Sequence, residues 1–156
     1  MELIYGYVRE PAMPAFGHEA VLIRLAGLLD SHVRAQRIGK VCRADVVLDR
    51  GAALVVQPDL FFISNERMGI VDDRVWGAPD LVIEIASPST QRRDRTLKLA
   101  WYKRYGAREC WLVYQLGHTI EVVSCQTDER RTFSGDELIV SRVLPGLAVT
   151  ARECFS

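Results

Sequence analysis

Apolar side chains recur at helical spacing between residues 15 and 37, at Ala20, Val21, Ile23, Leu25, Leu28, Leu29 and Val33. Asp30, His32 and Arg34 fall toward the opposite side, so the pattern predicts an amphipathic helix that stops near Gly39. A second helix is expected up to about Tyr105, because Asp94, Lys98, Trp101, Tyr102 and Tyr105 are spaced three or four apart and share a face. The hydroxyls of Ser87-Pro88-Ser89-Thr90 are placed to cap it, and Gly106 to close it.

The remaining segments read as strands and turns. Residues 2–9 suggest one short strand around Gly6, ended by the prolines at 11 and 14. A strand over 44–48, a turn at Asp49-Arg50-Gly51 and an extended stretch over 53–63 follow, the last broken at Pro58, which has no N–H to give to a ladder. Residues 65–79, with Gly69, Asp72, Asp73 and Gly77, form a connecting loop. Residues 80–86 are a strongly apolar strand that carries one carboxylate, Glu84. Strands over 110–114 and 118–124 are joined at Gln115-Leu116-Gly117, and Gly135-Asp136-Glu137-Leu138 turns into Ile139-Val140. Residues 144–149 are expected to pack across the sheet edge. The order of elements predicts a mixed α+β fold, and a length of 156 residues predicts one domain over 1–156.

Composition is that of a globular chain, 49% hydrophobic and 26% charged. Twenty Lys and Arg balance twenty Asp and Glu, so no overall field draws the chain to nucleic acid or an acidic membrane, and any polyanion must be held by local charge. The run Gln91-Arg92-Arg93-Asp94-Arg95, followed by Lys98, Lys103 and Arg104, is the best local candidate. The thinner group Arg34, Arg37, Lys40 and Arg43 reads as the solvated end of a helix. No apolar run approaches the ~18 to 20 residues that span a bilayer, and the first residues lack a signal-peptide pattern. A cytoplasmic protein with no membrane partner is expected. Cys42, Cys110, Cys125 and Cys154 form no Cys-x-x-Cys pair and have no histidine at zinc spacing; Cys110 and Cys125, within apolar alternating segments, read as buried free thiols.

The candidate chemistry centres on Asp59 and Glu84. If the segments around them are antiparallel neighbours, two carboxylates meet at one point of the sheet, and the natural companion for them is a hard divalent cation, Mg²⁺ or Mn²⁺. Lys98, in the helix that follows, can reach back to the same point. Two metal-holding carboxylates and a lysine suit metal-assisted phosphodiester hydrolysis, with Arg92 and Arg93 left for backbone phosphates of DNA. The same residues admit a structural account, with Asp80 shaping the loop before its strand, Glu84 paired to Lys98 and Asp59 ending a strand. His18, at the first helix start, suits a phosphate, a metal or a helix-start hydrogen bond, while Glu19 turns to a different face. Glu2 can approach from the first strand. His118, Trp111 and Tyr114 read as structural. No GxxxxGK loop, His-Glu-x-x-His or GxSxG elbow is present.

The run from Pro79 through Asp80 and Glu84 to Thr90, then Asp94, Lys98, Tyr102, Gly106 and Trp111-Leu112-Val113, strongly resembles the Uma2 family, also called DUF820. Pro58-Asp59 with Phe61-Phe62-Ile63, Gly6, His18 and Leu144-Pro145-Gly146-Leu147 match as well. The resemblance implies the PD-(D/E)xK nuclease superfamily, a restriction-endonuclease-like mixed sheet flanked by helices, and Mg²⁺ at the active site. It implies Asp59 as first metal carboxylate and Glu84 as second. Lysine usually stands two residues after the second acid, where this chain has Ala86, and the resemblance places the amine at Lys98 in the next helix. Asp80, four strand residues or roughly 13 Å from Glu84, ranks below Asp59 as a ligand. Against the same pattern the amino terminus is short, and Tyr114-Gln115 replaces an Asp-Pro. The expected activity is Mg²⁺-dependent DNA endonuclease. The alternative is a nucleic-acid-binding or accessory protein that keeps the fold without cleaving. A homodimer is expected on the ground that duplex cleavage needs two strand breaks.

Overall fold

The computed structural model describes residues 1–10, 15–86 and 92–156, the Arg93 side chain excepted. The capping role read for residues 87–90 and the strand-ending role of residues 11–14 lie outside the described residues. The chain opens with a hairpin instead of a single strand, β1 (Glu2–Ile4) and β2 (Tyr7–Arg9). Tyr5 and Gly6 both take positive φ, 48° and 87°, and a two-residue turn of that hand matches the twist of the antiparallel strands it joins.

The predicted first helix, α1 (Phe16–Gln36), ends at Arg37 in the left-handed conformation, before Gly39 is reached. Gly39 instead opens an unpredicted strand, β3 (Gly39–Cys42). A Cβ at that glycine would fall 2.1 Å from the Ile63 carbonyl oxygen, so a bare α-carbon is what lets the two backbones approach. After β4 (Val46–Asp49) come β5 (Leu54–Val56) and β6 (Leu60–Ser64), separated at Gln57-Pro58-Asp59. The loop over 65–79 contains a 3₁₀ turn and the two-residue β7 (Val75–Trp76). Then follow β8 (Leu81–Ala86), α2 (Arg92–Arg104), β9 (Glu109–Tyr114), β10 (Thr119–Ser124), β11 (Arg130–Ser134) and α3 (Ala151–Phe155).

Six strands build the central sheet in the order β11-β10-β9-β8-β6-β3, and five build a smaller one, β2-β1-β5-β4-β7. Pro58 therefore does more than interrupt a strand, because the chain changes sheet there. Within the central sheet β8 and β9 are parallel, and α2 supplies the crossover that a parallel pair requires. The other pairs are antiparallel.

Strand alternation divides the apolar side chains between two faces. Leu60 and Phe62 of β6, with Leu81, Ile83 and Ile85 of β8, pack with Leu22, Leu25, Leu29 and Val33 of α1. Phe61, Ile63, Val82 and Cys110 turn the other way, toward Leu99, Trp101 and Tyr102 of α2 and the smaller sheet. Because both faces of β8 are covered, its sequence is apolar almost throughout. Glu84 belongs to the second face by the same alternation. The irregular stretch after β11 is fastened by buried Glu109, whose Oε1 accepts from Trp111 Nε1 (2.8 Å) and Ser141 Oγ (2.6 Å) while Oε2 accepts from Arg142 N (3.1 Å). The architecture is the expected mixed α/β one, a central multi-stranded sheet flanked by helices. Among the described residues no helix is long and apolar enough to cross a membrane.

Candidate active site

Antiparallel pairing of β6 with β8 runs Phe62↔Leu81, Phe61↔Val82, Leu60↔Ile83. Asp59 is the next residue back, beyond the point where Pro58 stops the ladder. Its Oδ2 takes the place of a backbone carbonyl and accepts from Ile85 N at 2.7 Å. The other oxygen, Oδ1, lies 3.1 Å from His18 Nε2 at the start of α1. His18 Nδ1 is 2.9 Å from Glu19 Oε1, and Arg43 stands 3.6 Å from Glu19 Oε2. Glu19 thus does not turn away as expected: its long side chain folds back along the first helical turn onto its neighbour. The hydrogen bond to Asp59 raises the His18 pKa, against burial that lowers it, and the charges of Asp59 and Glu19 add to the rise.

On the α2 side, Lys98 and Tyr102 are four residues apart and descend together onto Glu84. The Tyr102 hydroxyl donates to Glu84 Oε1 at 2.5 Å. Lys98 Nζ lies 3.7 Å from the same oxygen and donates to Glu2 Oε1 at 2.7 Å. Glu2, brought in by β1 and only 3% exposed, also accepts from Gln57 N at 3.1 Å. Burial raises the Glu84 pKa to about 7; the Lys98 charge and the Tyr102 hydrogen bond pull it down, while Asp59 and Glu2 push it up. Burial works against the Lys98 ammonium, but Glu84, Glu2 and Asp59 outweigh it and leave its pKa raised. Burial and the Glu84 carboxylate drive the Tyr102 phenol well above its ordinary value. Near neutral pH the cluster is therefore balanced between a protonated and an ionised Glu84.

A protein-family model, Uma2, described as "Putative restriction endonuclease", matches residues 1–152. The chain belongs to the Uma2 family. Family membership associates it with the PD-(D/E)xK-like nuclease superfamily. A crystal structure described as that of "a putative nuclease belonging to DUF820" from Anabaena variabilis ATCC 29413 superposes with a TM-score of 0.83 at 23% identity, covering 99% of this chain and 88% of that one. It shows the shared fold. No curated protein matches the chain.

In this Uma2 chain five of the residues singled out from sequence come together at one end of β6 and β8: Asp59, Glu84, Lys98, Glu2 and His18. Asp80 does not join them. It lies at the opposite end of β8, 1% exposed, where Oδ2 and Oδ1 accept from Ser64 N (2.8 Å) and Ser64 Oγ (3.1 Å), with Arg108 and Arg67 at 3.6 and 4.0 Å. Its oxygens staple the end of β6 to the start of β8, so it belongs to the scaffold. Arg92 is exposed at the start of α2, and the Arg93 side chain lies outside the described residues. Tyr102 is the participant that sequence reasoning missed, although its spacing from Lys98 was the available signal.

Among the described residues no three or more His, Cys, Asp and Glu side chains are grouped so as to hold a metal ion. Among the described residues the cluster therefore offers no full protein cage for a cation. Its donor set is nonetheless composed of carboxylate oxygens, and crowding of like charges at Glu84 is the condition a cation relieves. Mg²⁺ characteristically takes one or two protein carboxylates and completes its shell with water and substrate phosphate.

Proposed function

We propose that this protein is a divalent-metal-dependent endonuclease that hydrolyses phosphodiester bonds in DNA. The observation that carries the reading is the Lys98 ammonium held between Glu2 and Glu84, beside Asp59 at the start of the neighbouring strand, in a member of a family whose description is "Putative restriction endonuclease". Asp59 and Glu84, with Glu2 next to them, would hold Mg²⁺ or Mn²⁺, which when bound supplies Lewis-acid polarisation of a phosphoryl oxygen and a lowered pKa for water. Glu84 holds or releases a proton near pH 7. Lys98 balances the charge of the carboxylates, and Tyr102 fixes the orientation of Glu84 through its hydroxyl. His18 anchors Asp59 from the side of α1. Arg92 and Arg93 would meet phosphates that flank the scissile one, and two copies of the chain would supply the two cuts that a duplex requires.

The test is incubation of the wild-type protein, Glu84→Ala and Lys98→Ala with DNA and with RNA in Mg²⁺ or Mn²⁺. Cleavage of DNA by the wild type and its loss in both variants is expected. Cleavage that both substitutions leave intact would exclude the site. A second reading, nucleic-acid binding without cleavage, is favoured by Lys98 already neutralising the carboxylates that a metal would share. It predicts salt-sensitive binding that falls on Arg92→Ala and Arg93→Ala while DNA stays whole.

A further inference from the structure

Cys110 pairs across the β9–β10 ladder with Val123, and the ladder continues past the end of β10 through a hydrogen bond from Cys125 N to the Arg108 carbonyl at 2.9 Å. Side chains two apart on a strand share a face, so Cys110, Val123 and Cys125 all turn toward α2. The two thiols lie 3.5 Å apart, and both are free. They differ in access: Cys110 is buried, whereas Cys125 is partly exposed at the edge of a turn. A disulfide needs the sulfurs to close from 3.5 Å to about 2.05 Å. Lys103, ion-paired with Asp128 in that turn, lies close by.

We propose that Cys110 and Cys125 are a reversible redox pair, with Cys125 as the thiol oxidised by hydrogen peroxide and Cys110 as the thiol that resolves it into a disulfide. Reactive thiols are those with access to solvent and a stabilised thiolate. Cys125 meets both conditions: the hydrogen bond from Cys110 and the Lys103 charge lower its pKa against burial, while the partner Cys110 is held well above its ordinary value. In the first step the Cys125 thiolate displaces hydroxide from the peroxide, which takes up a proton and leaves as water, and the sulfur is oxidised to sulfenic acid. In the second step Cys110 sulfur attacks the sulfenic sulfur, loses its proton and releases a second water as the S–S bond forms. A dithiol reductant returns both thiols. Cys110 shares its apolar cluster with Tyr102, the donor to Glu84. Closure of the disulfide thus acts next to the proposed active site, a link that rests on the nuclease reading. The redox chemistry itself does not.

Arg108 and Arg130 bracket a stretch with no Lys or Arg inside it, so trypsin leaves both cysteines in the single peptide 109–130. The native wild-type protein is treated with hydrogen peroxide, alkylated, digested and analysed by mass spectrometry. The expected product is that peptide, unalkylated and lighter by a pair of hydrogens. Cleavage after Glu121 should leave its halves joined until dithiothreitol is added, and Cys110→Ala should send Cys125 on to sulfinic acid. Cross-linking through exposed Cys42 leaves the peptide unchanged, so it cannot mimic the result. Sulfinic acid at Cys125 with Cys110 still alkylated in the wild type, or two unreacted thiols, overturns the proposal. Because no step reads nuclease activity, these outcomes are independent of whether the chain cleaves DNA.

Discussion

Replacing Glu84 by Gln keeps the size of the side chain and an oxygen to accept from Tyr102, but removes the ionisation. In the folded wild type the Glu84 pKa is raised from 4.5 to about 7. Between those values the native state keeps a proton that the unfolded chain has released, so its stability falls as pH rises. At about 1.4 kcal/mol per pH unit, the gap amounts to about 3 kcal/mol, fully present below pH 4.5 and lost once pH passes 7. Glu84→Gln has no such loss. The two proteins should match in acid, and the variant should become the more stable by about 3 kcal/mol at pH 8, equivalent to roughly 6 to 12 °C in Tm for a chain of this length. Thermal or urea denaturation of both across this range measures it, and comparison at matched pH cancels titrations the two share. Saturating Mn²⁺ at pH 8 should raise the wild-type Tm and leave the variant's nearly fixed, since the cation rewards the ionised carboxylate. A difference that does not open with pH, or a variant less stable than wild type in alkali, refutes the charge frustration assigned to this site.

Tyr102→Phe removes the hydrogen bond that favours ionised Glu84, so the Glu84 titration followed by carboxyl NMR should move upward and stability at pH 8 should drop by about 1 to 3 kcal/mol. Asp80→Ala should cost about 3 kcal/mol, because Ser64 N loses its buried acceptor. Calorimetry should nevertheless find Mn²⁺ affinity unchanged, since Asp80 stands at the far end of the strand. His18 has a raised folded pKa, so its ion pair with Asp59 stabilises fully below the unfolded pKa and fades as pH climbs through the folded one. His18→Gln should therefore be less stable than wild type in mild acid, by about 1 kcal/mol, with the difference closing in alkali, as pH-resolved unfolding can show.

What the sequence made readable follows from periodicity. An acid in the run Leu81-Val82-Ile83-Glu84-Ile85 is conspicuous because both faces of that strand are buried, and its pairing with the Asp59 segment could be drawn from Pro58 and the loop that follows β6. Lys98 and Tyr102 shared a helical face by simple spacing. Other features depend on contacts between residues far apart in the chain. Arg130, Arg131 and Thr132 are exposed and only Phe133 between them and Ser134 is buried, so β11 has too little apolar alternation to be recognised. Gly39 looks like a helix stop until Ile63 is seen against it. The split of residues 53–63 between two sheets cannot be inferred from a strand pattern that is identical in either sheet. Asp80 was included among the acids because an acid before an apolar strand reads the same whether its partners are a cation or the Ser64 backbone. The 96-residue separation of Glu2 and Lys98 likewise concealed their ion pair.

The amine that meets Glu84 hangs from a helix, while Ala86, two residues along the strand, offers only a methyl group. Pleating restricts a strand residue to one of two directions, whereas residues one turn apart on a helix share a face at a spacing of about 5.4 Å along its axis. Positions 94 and 102 lie one turn either side of Lys98, and Tyr102 already reaches the same Glu84 oxygen as Lys98, so the positive charge is portable along α2 with the acids left where they are. A lysine transplanted to either position in a Lys98→Ala background tests how far that freedom extends.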